Sequence, residues 1–459
     1  MKIRSLTLKH IGVFEDETIV FPEKKDKDKA EIHILTGQNG TGKTTILQAL
    51  ASKMLEVKPF VEFESLISSS FIKNFRKRLK HENCGGKHGN IIFGNGNQLT
   101  FNGLEILSVT KTLNSTEEEK DFYKIVLEKH KEFQDTALSA IREYANNYLC
   151  NFVAFAYSGY RFIQHEESVE TKDKPKYNPL EKALEFDKSF TQNDYTLNQW
   201  LAINSSKRAL ARESDDKKGI ERFDKNIKNI ELIIHEITGQ TIKFETVYDI
   251  DIKIIANIEG KKLDFDLLPD GLRSLISWIG DLLMRMDALK WENDLDIRER
   301  EFILFLDEIE VHLHPYWQRK VLPVVQRFFK NAQIFITTHS PFIVNSIDGA
   351  YIYELKLDAE GKCKVELPIG ISDTSKSIDE VLNEVYDIEP TQMYGEKRTI
   401  EIEEFQKDIE KAYKKEADFD KKAFLSKAKK LAFRSTELRN NVQFELRQLS
   451  KSLAEDFSI

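Results

Sequence analysis

GQNGTGKT, residues 37–44, follows the alternating run Glu31–Thr36 and leads into TTILQALASKML, whose apolar residues fall at helical spacing. Strand, glycine turn and helix in that order are the setting in which this pattern forms a phosphate-binding loop. Its glycines let backbone N–H groups close around phosphate oxygens, and the helix that follows presents its positive end to them. The candidate ATP-binding residues are therefore Gln38, Asn39, Gly40, Thr41, Gly42, Lys43, Thr44 and Thr45. Within that set Lys43 faces the β and γ phosphates, and the Thr44 hydroxyl is a ligand for Mg²⁺.

FILFLDEIEVHLHP, residues 302–315, carries the second half of such a site. The apolar run reads as a strand buried on both faces. It ends in Asp307 and Glu308, which puts two carboxylates at the strand edge where phosphates would lie. Asp307 is the candidate Mg²⁺ partner, and Glu308 is the candidate to orient or activate the attacking water. A further buried run, QIFITT, ends near His339, at a third strand tip within reach of a γ-phosphate.

Composition sets the outer limits. The chain has 459 residues and a formal net charge of -8, the balance of a globular protein without a uniformly basic surface. DNA binding is neither required nor excluded by that balance. No run approaches the ~20 apolar residues of a membrane span, and the N-terminus alternates like a strand, so the expected location is the cytoplasm, with no membrane partner. Cys84, Cys150 and Cys363 lie too far apart for a disulfide framework. The loop bearing His81, Cys84 and His88 lacks a fourth ligand for zinc and reads as ordinary surface. His312 and His314 read as packing or nucleotide-edge residues. Asp418 and Asp420 sit between helical, charged flanks and not after a buried strand, which argues against a built-in nuclease.

Elsewhere the pattern is organisational. Ile220, Phe223, Ile227, Ile230, Ile234 and Ile237 recur at steps of three and four, the seam of a short coiled coil or helical hairpin. Val442, Leu446, Leu449 and Leu453 form an apolar stripe on a charged helix, which docks either on its own domain or on a partner.

The four elements GQNGTGKT, LPDGLRSL (268–275), LDE and TTHSPF, in that order, resemble the ABC ATPase heads shared by SMC, RecF and OLD proteins. The resemblance implies an α/β P-loop NTPase fold with an inserted helical stub and an α-helical C-terminal region. The expected domains are 1–165, the N-terminal part of the head; 166–240, the stub; 241–370, the rest of the head; and 371–459, a charged helical region that contacts a partner or another copy. It also implies that Asp270, Gly271, Arg273 and Ser274 cap ATP held by a second subunit, that Gln164 touches the nucleotide site, and that His339 is the γ-phosphate switch. Pro269 stands where the signature loop usually carries serine; it has neither a hydroxyl nor an N–H, so slow turnover with firm binding is expected. AYSGYR, LPDGLRSLISW and SIDEVLNEVYDI narrow the likeness to the PtuA-type ATPases of Septu anti-phage systems and their retron-associated cousins. That resemblance implies a separate HNH nuclease partner; a RecF-like DNA-maintenance role is the competing reading.

Overall fold

Runs such as FILFL and QIFIT show no polar alternation because both of their faces are covered. All five residues of Phe302–Leu306 and of Gln333–Thr337 are buried. The computed structural model describes residues 2–54, 88–93, 98–102, 105–110, 150, 152–159, 179–180, 182–186, 196–248, 252–365, 370–416 and 419–459. Within them the strands are β1 (Ile3–Ile11), β2 (Phe14–Val20), β3 (Glu31–Gly37), β4 (His88–Phe93), β5 (Gln98–Asn102), β6 (Glu105–Thr110), β7 (Val153–Tyr157), β8 (Ile242–Tyr248), β9 (Ile252–Ile258), β10 (Lys261–Asp264), β11 (Phe302–Leu306), β12 (Gln333–Thr337), β13 (Tyr351–Leu357), β14 (Cys363–Val365) and β15 (Gly370–Ile371).

The sheet that matters for the site has the order β14-β13-β3-β12-β11-β7, with β15 also on β13. Strands β13, β3, β12, β11 and β7 are mutually parallel, so their C-terminal ends share one edge. Sequence-distant loops meet there, as ligand sites of open parallel sheets do. A second, antiparallel sheet runs β2-β1-β4-β5-β6, and β8 to β10 form a three-stranded antiparallel sheet. This is a P-loop NTPase fold, a mixed sheet with helices and a helical C-terminal region.

The base of β3 is held by a buried polar cluster. Glu31 Oε1 accepts from Arg4 Nη1 at 2.8 Å and from Gln333 Nε2 at 2.5 Å, while His33 Nε2 lies 3.0 Å from the same oxygen. Gln333 also bonds both main-chain groups of Ile3, which ties β12 to β1. His33 stacks on Phe335 and Tyr351, so the cluster is walled by aromatic rings.

The seam of isoleucines belongs to a helical hairpin, Leu197–Glu213 and Lys217–Thr238, that folds back onto the ATPase unit. Ile227, Ile230, Ile234 and Ile237 are buried, whereas Ile220 and Phe223 toward the tip are only half-buried. Asp287 of the Asp270–Ala288 helix accepts from Trp200 Nε1 at 3.0 Å and from Asn226 Nδ2 at 2.5 Å. Arg327 of the Pro315–Phe328 helix pairs with Glu236 at 2.9 Å.

The chain divides into two compact units, Met1–Lys376 and Ser377–Ile459. The second has its own core, and here the open question about the C-terminal stripe closes. Val442, Leu446 and Leu449 of the Thr436–Leu453 helix pack with Phe405 and Phe424 of the neighbouring helices, and Leu453 lies against the same cluster. The stripe is interior packing. Asp420 is the N-cap of the Lys421–Ala432 helix and accepts from Lys422 N at 2.8 Å, whereas Asp418 lies outside the described residues. Among the described residues, no helix is long and apolar enough to cross a membrane.

Two outcomes are expected. Phe424→Ala should cost about 3–5 kcal/mol, as loss of a fully buried aromatic does, and urea unfolding should show that loss in the transition of the C-terminal unit. Burial opposes ionisation of Glu31, but its bonds from His33 and Arg4 prevail and hold its pKa down to about 2. A depressed carboxylate stabilises the fold above its unfolded pKa, and that contribution fades as pH falls from about 4.5 toward 2. Denaturation midpoints across that window should therefore fall steeply in the native protein and less steeply in Glu31→Gln.

Candidate functional site

The P-loop leaves β3 and turns into the Lys43–Met54 helix. Gln38, Asn39 and Gly40 are exposed at its rim, whereas Thr41 and Lys43 are buried. Thr41 Oγ1 closes the turn by donating to the Gln38 carbonyl at 2.9 Å. Gly42 has φ 93°, and a Cβ there would lie 2.7 Å from the Phe14 ring, so only glycine fits without displacing β2. Thr44 and Thr45 occupy the first turn of the helix.

Lys43 Nζ donates to the carbonyls of Gly37 and Gln38, both at 2.8 Å. An ammonium has three donors, so one remains beyond those two. Burial pushes the Lys43 pKa down, while Asp307, Glu308 and Glu310 draw it back up. The lysine is thus a cation surrounded by acids.

Asp307 joins the strands. Thr337 Oγ1 of β12 donates to Asp307 Oδ1 at 2.6 Å, and Thr44 Oγ1 lies 3.1 Å from Oδ1 and 3.0 Å from Oδ2. Asp307 N also donates to the Tyr157 carbonyl of β7 at 2.9 Å. Next in the chain, Glu308 takes φ 46°, a left-handed conformation that an L-residue adopts at a cost of about 1–3 kcal/mol. Its N–H is held by Thr337 Oγ1 at 2.7 Å. Gly159 makes room for it, since a Cβ there would lie 3.0 Å from both Cβ and Oε2 of Glu308. The backbone N–H of His339 donates to Glu310 Oε1 at 2.5 Å. The His339 imidazole has a depressed pKa, from partial burial first and the Lys43 charge second.

Lys43, Thr44, Asp307, Glu308 and His339 therefore converge on one edge of the sheet. The residues of LPDGLRSL do not join them. Asp270 pairs with Arg273, and a Cβ on Gly271 would lie 2.7 Å from the His312 carbonyl and 2.8 Å from the Trp317 ring. Among the described residues, no hydrogen bond or ion pair links Asp270, Arg273 or Ser274 to the P-loop. Pro269 is the N-cap of their helix and makes no side-chain capping bond, which leaves the first-turn amides uncapped by it. Ser274 Oγ is buried without a partner. Gln164, His81 and Cys84 lie outside the described residues, as does the side chain of His88. Among the described residues, no cluster of three or more His, Cys, Asp or Glu could hold a metal ion.

Thr337, Glu310 and Gly159 are functional contacts that the motif reading did not assign. Glu310 stood two residues beyond Glu308 in the quoted stretch, and Gly159 lay inside AYSGYR; what each touches depends on pairing between distant strands.

A P-loop after β3, the neighbouring strand β12 running on to histidine, and the acid-tipped strand β11 beyond it define a P-loop ATPase. The chain belongs to the AAA ATPase domain family, whose profile matches residues 95–344, and an AAA domain profile matches residues 1–56. It is similar to the Septu protein PtuA of Bacillus thuringiensis, with 28% identity over 180 residues, covering 38% of this chain and 44% of that protein. It is also similar to the Retron Ec83 probable ATPase of Escherichia coli, 26% identical over 201 residues (41% of this chain, 34% of that protein). The Retron Vc95 probable ATPase of Vibrio cholerae is 26% identical over 172 residues (37% and 32%). The matched stretch spans less than half the length of each of these relatives. The SMC head domain from Thermotoga maritima covers 80% of this chain and 99% of its own at 12% identity and a TM-score of 0.35, a likeness too distant to inform the site.

Thr337→Val removes both a donor to Asp307 and the acceptor for Glu308 N–H, and should destabilise the protein by about 1–3 kcal/mol. Thr337→Ser should restore most of that, as read from urea midpoints.

Proposed function

We propose that this ATPase binds Mg·ATP in the Lys43 site, hydrolyses it slowly, and pairs head to head as an ABC-type dimer that controls a separate nuclease in anti-phage defence. The observation that carries the nucleotide reading is the connection of Lys43, Thr44 and Asp307 at one sheet edge. Lys43 would hold the β and γ phosphates, and the backbone amides of the P-loop would wrap them. The donor set suits magnesium: a hydroxyl and a carboxylate, both hard oxygen ligands, already converge at 3.0 Å. Thr44 and Asp307 would hold the ion, which when bound neutralises phosphate charge.

Glu308 would then accept the proton of the attacking water, and His339 would approach the γ-phosphate. At the turn after Pro269, whose amides that residue does not cap, the half-buried Arg273 would face a phosphate from a second copy; Gly271 and Ser274, expected to join it, are instead buried within their own chain. Pro269 offers no hydroxyl there, which is why slow turnover is expected. Likeness to the Septu and retron proteins supports the defence role and an HNH nuclease as partner.

Lys43→Ala should abolish ATP retention in calorimetric titration; unchanged affinity would overturn the nucleotide assignment. Glu308→Gln should preserve affinity while lowering turnover about a hundredfold or more, as loss of a general base does. Light scattering of that variant with saturating Mg·ATP should show the mass double, and a mass that stays constant would refute the sandwich.

A further inference from the structure

Three bonds stitch the turn after β11 to the end of β12. Glu308 N donates to Thr337 Oγ1 at 2.7 Å, Ile309 N to the Thr337 carbonyl at 3.3 Å, and His339 N to Glu310 Oε1 at 2.5 Å. The first two use a residue that already supports Asp307. The third is different, because it brings a further carboxylate against the histidine turn.

That carboxylate is only half satisfied. Glu310 Oε2 is buried and has no hydrogen-bond partner among the described residues. An acceptor withdrawn from water without a donor costs about 1–3 kcal/mol, and more when it is charged. Such groups persist where something else completes them, most simply an ordered water. Glu310 also lies close enough for its charge to act on both Lys43 and His339. Positive φ at Glu308 and His312 brackets the turn, so the chain bends on both sides of Glu310 to place it there.

We infer that Glu310 is a positioning residue of the ATPase site: Oε1 fixes the His339 main chain to the acid-bearing turn, while Oε2 accepts a hydrogen bond from a water ordered in the nucleotide site. The inference rests on the nucleotide reading above. A carboxylate can only accept, so it dictates which way that water points. A glutamine can keep the bond to His339 through its carbonyl oxygen, but it then presents N–H where the water needs an acceptor.

Glu310→Gln should lower single-turnover hydrolysis about tenfold, with KM for ATP within about twofold and the unfolding midpoint unchanged, the pattern of an interaction used in the reaction and not in binding. Glu310→Ala, which also loses the tether to His339, should be more impaired and less stable. Wild-type turnover in Glu310→Gln, or an equal fall in affinity and stability, would overturn the inference. Independently of activity, a crystal structure with bound nucleotide should show a water within about 3 Å of Oε2; a protein donor at that oxygen, or none at all, would also overturn it. If Lys43→Ala still binds ATP, the nucleotide reading itself has failed; if Lys43→Ala is inert while Glu310→Gln is normal, only the role of Glu310 falls.

Discussion

Everything at this sheet edge hangs on the carboxylate of Asp307. It is buried, yet it contacts hydroxyls from two other segments, Thr44 at the start of the P-loop helix and Thr337 at the tip of β12. A buried carboxylate is tolerated only with such partners. The same bonds that satisfy it set the spacing between the P-loop and the strand carrying the histidine. Stability and site geometry here come from one node, so neither can be altered alone.

The charge pattern around that node is unusual for a buried region. Asp307, Glu308 and Glu310 face the single ammonium of Lys43, which is itself anchored on two main-chain carbonyls. Among the described residues the acids outnumber the cation, an arrangement that favours added positive charge at the same place. At the opposite end of the sheet the balance is closed instead. Glu31 has Arg4, His33 and Gln333, and the aromatic walls of Phe335 and Tyr351 keep water from the cluster. One end of β3 is electrostatically complete and the other is not.

Local pattern made the elements legible. The glycine turn between Thr36 and Thr45 and the unalternated FILFL and QIFIT each announce themselves within a few residues. The isoleucine seam announced helix pairing, but not that Trp200 and Asn226 would bond Asp287 and lay the hairpin on the ATPase unit. Nor could periodicity say what Leu446 and Leu449 cover, because a stripe has the same spacing whether its partner is Phe424 or another protein. Thr337, Glu310 and Gly159 escaped for a related reason. Their meaning lies in strand register, Asp307 beside Thr337 and Tyr157, which is a property of pairs far apart in the chain.

Phe14 has a role that extends beyond packing. Its ring is buried and fills the space a Cβ on Gly42 would occupy, so a residue of the antiparallel sheet forms the back wall of the P-loop. A loop braced in this way has surrendered most of its conformational entropy by the time the chain has folded. An incoming phosphate then finds its amides already aimed. Little further ordering is required of it, and the affinity of the loop is set chiefly by the charge it meets.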